Sequence, residues 1–337
     1  MLVMSERHVK FGLTLPNRGV LTGATSMGEM LELAEMADAE TIWDSVWVGD
    51  SILAKPRLDA IALLGALAVK TERVKLGPAC FASTPLRNAL LLAYQWASLD
   101  FMSGGRTIFV ACQGQPAAGR GGDFAKEFAA FGVDPSSRMR RMEEAVDIMR
   151  LLTSEEEASY EGEYNRFENV TVLPRPVQQP VPIWLVANPD PAKKRNVETA
   201  LRRVARLADG WQTTWNTPES FAQHLSTIQN YAKEEGRNLG EDFEACLYYN
   251  INVGEDQEAA LDEAKSFLDA YYYTDYDRER LKRWVAYGSP EESAEQIQAF
   301  IEAGATTVTL RMAAYDQRYQ FERVTREVLP ALHSALA

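Results

Sequence analysis

The stretch Gly104-Gly105-Arg106-Thr107-Ile108-Phe109-Val110-Ala111-Cys112-Gln113-Gly114 decides how the rest of the chain is read. A Gly-Gly turn runs into residues 107–111, which hold no glycine, proline or charge. That run is β-rich and continuously apolar, which predicts a strand buried on both faces. A thiol, an amide and a glycine stand at its exit. Parallel α/β sheets place their sites at the carboxyl ends of such strands. The exit is either a site or a plain loop, and the neighbouring segments decide.

Working outward, residues 74–76 begin a strand that leaves through Gly77-Pro78-Ala79-Cys80-Phe81, and residues 45–48 one that leaves at Gly49-Asp50-Ser51. Residues 9–15 form a first strand closed by Pro16-Asn17. Downstream, residues 183–186 exit at Ala187-Asn188-Pro189, and residues 210–214 and 245–253 add two more. Residues 307–310 exit at Arg311-Met312. Helical spacing separates the strands. Ser26 and Glu29 form a capping box ahead of Met30, Leu33, Ala34 and Ala37. Residues 57–71 and 85–101 are helices apolar nearly all round, which marks deep burial or an oligomer face. Asp134-Pro135 opens a helix with a core stripe of Met139, Met142, Val146 and Met149, and Ser289-Pro290-Glu291-Glu292 opens another. Eight strands alternating with helices predict a (β/α)8 TIM barrel with insertions, one domain over residues 1–337, with its site at the strand C-termini. A doubly wound open sheet would need a glycine-rich phosphate turn after the first strand, and Pro16-Asn17-Arg18-Gly19 is not one. Two insertions stand out: residues 113–127, a glycine-rich segment that is either a mobile loop over the site or a passive surface loop, and residues 158–182, a β-excursion rigidified by four prolines.

Composition narrows the function. The chain has 337 residues, a net charge of −13 and a pI near 4.9, and lacks a basic stripe, which argues against nucleic-acid and anionic-membrane partners. No apolar run approaches the ~20 residues of a membrane span. The first ten residues lack the apolar core of a secretory signal. Cys80, Cys112 and Cys246 are isolated thiols without CxxC spacing, so a reducing compartment, the cytoplasm, is expected. None of His8, His224 and His333 falls at a strand exit, so neither a histidine-held metal nor a Ser-His-Asp triad is expected. Gly119-Arg120-Gly121-Gly122 is followed by no Gly-Lys-Ser/Thr and is not a phosphate loop of that type. Asp50 is the only carboxylate directly at a strand exit in the first half, and it either orients a ligand or caps a helix. With so few catalytic groups of its own, the barrel fits chemistry carried by a bound cofactor.

Several segments resemble, in order, the luciferase-like monooxygenases, flavin-dependent barrels that include bacterial luciferase and alkanesulfonate monooxygenase. They are Val46-Trp47-Val48-Gly49-Asp50, Leu99-Asp100-Phe101-Met102-Ser103-Gly104-Gly105-Arg106, Phe128-Ala129-Ala130-Phe131-Gly132, Tyr160-Glu161-Gly162-Glu163-Tyr164, Leu173-Pro174-Arg175-Pro176-Val177-Gln178, Ile183-Trp184, and the run from Arg203 to Trp211. The resemblance implies a two-component monooxygenase. A separate flavin reductase supplies reduced FMN, O2 adds to the flavin, and a small organic substrate is oxygenated in a water-excluding mouth. It places a non-prolyl cis peptide at Ala79-Cys80 against the flavin ring, Cys112 at luciferase's reactive thiol, and Gln113, Gly114 and Asn188 near the ring or phosphate. For Cys112, a small buried apolar residue remains the other reading. Ser51 stands where luciferase has its catalytic histidine, beside Asp50, so light emission is not expected. Gln113 replaces a phosphate-binding arginine, which leaves Lys193, Lys194 and Arg195 as phosphate partners or as a solvated charge run. Asn17, Trp211, Trp215, the Tyr271-Tyr272-Tyr273 run and Arg311 are substrate-side candidates, Arg311 for an anionic group, with core packing the other reading of the tryptophans. The alternatives are an F420-dependent oxidoreductase of the same superfamily, a non-catalytic flavin-binding relative, and a cofactor-free hydrolase or lyase. A homodimer is expected from the resemblance and from the two apolar helices.

Overall fold

The computed structural model describes residues 9–119, 121–189 and 194–334, so His8, Arg120 and Lys193 lie outside the described residues. Eleven strands occur in this order: β1 (Lys10–Leu15), β2 (Ser45–Val48), β3 (Lys75–Pro78), β4 (Phe109–Ala111), β5 (Ala158–Glu161), β6 (Arg166–Val170), β7 (Ile183–Val186), β8 (Gly210–Thr213), β9 (Glu244–Val253), β10 (Val285–Gly288) and β11 (Thr307–Met312). Eight of them form a parallel sheet in the order β3-β2-β1-β11-β9-β8-β7-β4. Isolated bridges Leu76↔Thr107 and Phe81↔Ala111 join β3 to β4 and bring the sheet round into a ring. The expected barrel is therefore present. The opening stretch forms a strand only over its last three apolar residues, with Thr107 held by a single bridge.

Three differences from the sequence reading have physical causes. The strand β10 lies outside the ring and pairs with β9 from Val285↔Asn250 to Gly288↔Val253, where β8 no longer reaches. Four residues that run straight into a capping box carry too little periodicity to announce it. The two apolar helices start later than their hydrophobicity suggests, at Ala60–Lys70 and Ala89–Ser103. Asp59 and Asn88 cap them by accepting from the backbone N–H groups of the first turn. The box at Ser289 forms in full, whereas Ser26 caps Met27–Ala39 one-sidedly, because Glu29 accepts from Thr25 Oγ1 instead. The 158–182 excursion is the antiparallel hairpin β5–β6 with its proline-rich return. The segment 113–127 ends inside helix Phe124–Ala130.

The bore of the barrel is filled by Trp47, Ile108, Val110, Trp184 and Cys246, all at least nine-tenths buried. The Trp47 and Trp184 rings lie 5.4 Å apart, and Trp47 Nε1 donates to Ser45 Oγ at 2.7 Å. Glycines on three strands make the room. A Cβ on Gly12 or Gly77 would come within 2.7 Å of the Trp47 side chain, and one on Gly210 within 2.6 Å of Trp184. Below this plug, the N-terminal end of the barrel encloses a cavity of about 620 Å³. Cations in its wall have partners: Lys10 pairs with Glu244, Arg150 with Asp209 at 3.0 Å, and Lys75 Nζ donates to Gly105 O at 3.0 Å. Arg106 of the opening stretch also serves this end. Its buried guanidinium donates to Ser103 O, Thr71 Oγ1, Val74 O, Ala68 O and Thr71 O at 2.7–2.9 Å.

Candidate functional site

The C-terminal strand ends build a second cavity, of about 310 Å³. Its wall takes Asp50 and Ser51 from β2, Ala79 and Cys80 from β3, Cys112, Gln113 and Gly114 from β4, Asn188 from β7 and Arg311 from β11. The chain thus brings together nine of the residues singled out in the sequence. The Ala79-Cys80 peptide is cis, at the position the family resemblance gives. Gly114 has φ +67°, and a Cβ there would lie 2.8 Å from Ala82 O, so this rim is bare backbone. Asn188 Oδ1 accepts from Thr213 Oγ1 at 2.9 Å and Thr214 N at 2.8 Å, which fixes its amide at the edge.

The electrostatics are uneven. Burial, the largest influence, lifts the Asp50 carboxyl above its usual range, while Arg87 at 3.6 Å and the Ser83 amide at 2.7 Å pull against it. Asp50 therefore ties the β2 exit to the segment after β3. The Cys80 and Cys112 thiols interact at the exits of β3 and β4. The interaction pushes Cys80 well above the ordinary thiol range, with burial adding to it, and holds Cys112 below that range. Ser51 Oγ accepts from Lys55 N at 3.0 Å and closes a turn that presents the Lys55 side chain to the cavity. Burial and the adjacent Arg57 and Arg18 charges lower the Lys55 ammonium to about 8. Glu127 fastens the same turn, its Oε1 accepting from Ile52, Leu53 and Ala54 N at 2.7–3.1 Å.

Other expected residues stand elsewhere. Asn17 is fully buried, and its amide is consumed by Gly49 N, Gly49 O and Leu58 O, so it braces β1 against β2 and has no group left for a substrate. Trp211 points outward from β8 into the helix layer, 4.9 Å from Phe221, with Nε1 donating to Ala187 O; it is core. Trp215 does not reach the cavity. It stacks on Trp284 at 4.2 Å, in the ring cluster that continues through Tyr272 to the cavity wall. Lys194 and Arg195 stand exposed in the first turn of helix Lys194–Leu207, outside the lining. His224 is a packing residue, edge-on to Trp211. Sequence reasoning missed Lys55, Arg57 and Arg138, which all line the cavity. Lys55 and Arg57 share the β2 loop with Asp50, and cations so close to a strand exit were the available signal. Arg138 opens helix Arg138–Ser154 and gave none.

The comparisons with known proteins fit this geometry. An F420-dependent glucose-6-phosphate dehydrogenase of Kineococcus radiotolerans is 26% identical, the match covering 90% of this chain and 93% of that protein. Its counterpart in Amycolatopsis mediterranei is 23% identical over 91% of this chain and 95% of that protein. Among solved structures, an F420-dependent secondary alcohol dehydrogenase in complex with an F420-acetone adduct has a TM-score of 0.78 at 19% identity, covering 96% of this chain and 99% of that one. A monooxygenase from Streptomyces bottropensis reaches 0.77 at 24% identity, covering 97% and 100%. At these identities the structural likenesses speak for the fold. The curated relatives favour the F420 alternative over the FMN monooxygenase expected first. A family model described as luciferase-like monooxygenase matches residues 9–307, and the chain belongs to that family of oxidoreductases.

Proposed function

We propose that the chain is an F420-dependent oxidoreductase that moves a hydride between the deazaflavin and a small hydroxyl-bearing or carbonyl-bearing substrate. The observation that carries this reading is the full-length similarity to F420-dependent dehydrogenases. The mouth fits such a group. On the β3–β4 side, backbone and small side chains at Ala79, Cys80, Cys112 and Gly114 leave a flat-sided slot for a planar ring. Arg138, whose Nε is buried without a partner, and Asn188 lie on the same side and would meet the anionic tail in place of the missing arginine. Gln113 would contact the ring edge. When bound, F420 supplies a ring carbon that gives or accepts a hydride. The protein's part is to hold the substrate carbon against that ring, to exclude water, and to handle one proton. Lys55 is placed for that proton: its side chain lines the cavity one turn from Ser51, where luciferase has a histidine.

The test is a titration of the purified protein with F420 and with reduced FMN, followed by F420 fluorescence anisotropy and by oxygen uptake. Micromolar F420 binding, with F420 bleached by an alcohol and no oxygen consumed, is the expected result. Oxygen uptake with reduced FMN from a reductase, and no F420 binding, would instead establish the two-component monooxygenase, the reading that Cys112 at the β4 exit favours. Tight binding without turnover would mark a non-catalytic relative. The homodimer rests on Val69, Leu91, Phe101 and Met102, which stay exposed on helices 60–70 and 89–103, and sedimentation measures it. Among the described residues no helix is long and apolar enough to cross a membrane.

A further inference from the structure

Four cations gather on one side of the mouth: Lys55 and Arg57 after β2 and Arg311 at the end of β11 line the cavity, and Arg18 after β1 stands behind them, close enough for its charge to act on Lys55. Arg311 is 1% exposed and lines the cavity; Nη1 donates to Tyr272 OH, and Nε has no acceptor. Arg18 is fully buried, and none of Nε, Nη1 and Nη2 has a partner. Its guanidinium lies 3.8 Å over the Tyr273 ring, as that of Arg311 lies 4.5 Å over Tyr271. Arg57 Nε reaches only Lys55 O, at 3.1 Å. Among the described residues, no carboxylate stands within ion-pair distance of any of the four.

Tyrosine rings offer such groups a face but no countercharge. Burying like charges together is unfavourable unless something supplies the opposite sign and accepts their N–H groups. The nearby acids are committed elsewhere: Asp50 to Ser83 and Arg87, Glu127 to three consecutive amides. Asp50 acts on Arg57 only at a distance, so a ligand that brought an anion would complete the group. Ring order says which. Strands β1 and β11 are neighbours and lie three to four of the eight strands from β7 and β4, whereas β2 lies two strands from β4. Arg18 and Arg311 thus stand across the mouth from Gly114 and Asn188, the side to which the cofactor is assigned, with Lys55 and Arg57 between the two sides.

We infer that Lys55, Arg57 and Arg311, with the charge of Arg18 behind them, form a subsite for an anionic group of the substrate, a phosphate or carboxylate, so that this oxidoreductase acts on a small anion in preference to a neutral alcohol. The substrate half of this inference rests on the F420 reading; the existence of the subsite does not. Phosphate is also part of the cofactor's chemistry, so the test separates the two sources. Inorganic phosphate is titrated against chloride at equal ionic strength, with and without saturating F420, and followed by calorimetry and melting temperature. The expected result is phosphate binding that persists in the F420 complex and weakens at least tenfold in Arg311→Met and in Arg57→Gln. The second variant serves if the first does not fold. Equal phosphate binding in wild type and variants overturns the subsite. Loss of phosphate binding when F420 is added overturns its assignment to substrate. If F420 does not bind while phosphate still separates wild type from Arg311→Met, the subsite stands and the cofactor reading falls.

Discussion

The two ends of this barrel carry similar residues and opposite arrangements. At the N-terminal end, Lys10 and Arg150 have acidic partners at the cavity of about 620 Å³, and Arg106 behind it has carbonyl partners. At the C-terminal end, Arg311 in the wall of the cavity of about 310 Å³ and Arg18 behind it keep buried nitrogens without partners. Volume does not mark the site; unmet hydrogen-bonding and charge demand does. The N-terminal end is finished as folded, whereas the mouth, on the proposal above, would be completed by a ligand.

This contrast can be broken or sharpened by experiment. Arg106→Met should have the largest effect. It strips the guanidinium from five carbonyl and hydroxyl acceptors and should cost about 3 kcal/mol in denaturant unfolding, with F420 affinity unchanged in the folded fraction. A loss of cofactor binding without loss of stability would put Arg106 at the wrong end of the molecule. A pH series should come next. Because burial, then Arg57 and Arg18, hold Lys55 near 8, sulfate binding at the mouth should weaken severalfold as pH rises from 7 to 9, and Lys55→Met should flatten the profile. Over the same range the unfolded chain keeps the lysine proton that the folded chain gives up, so Lys55 makes the ligand-free protein gain stability as pH rises above about 8. Arg311→Met should move unfolding of the ligand-free protein by less than about 1 kcal/mol, or raise its stability, since it removes a buried charge with no countercharge. A loss as large as that of Arg106→Met would mean the two ends are not different in kind. Arg195→Ala should do least, leaving F420 affinity within about twofold at 150 mM salt, because the side chain stands outside the cavity.

The sequence made the architecture legible because short apolar strands and capped helices alternate with little ambiguity, and the exits of β2, β3, β4, β7 and β11 indeed meet. Two arginines follow strand polarity: Arg106 precedes its apolar run and serves the floor, and Arg311 ends one and lines the mouth. Arg195 was the arginine that misled, because a charge run after a strand exit does not say which side chains turn inward. The cation cluster was hidden for a topological reason: Arg18 and Arg311 become neighbours only when β1 closes the ring against β11. Trp211 shows the converse error, an aromatic beside a strand exit that turns outward because side chains alternate along β8. The paired positions of Cys80 and Cys112 were legible only through family resemblance, since two single thiols in different segments carry no spacing signal.

The indoles of Trp47 and Trp184 have a kinetic corollary. With the bore stoppered, the described residues leave no passage along the barrel axis, so a cofactor and a substrate of the kind proposed would both come and go by the mouth. If one is seated beneath the other, turnover would follow a compulsory order set by architecture before any chemistry begins.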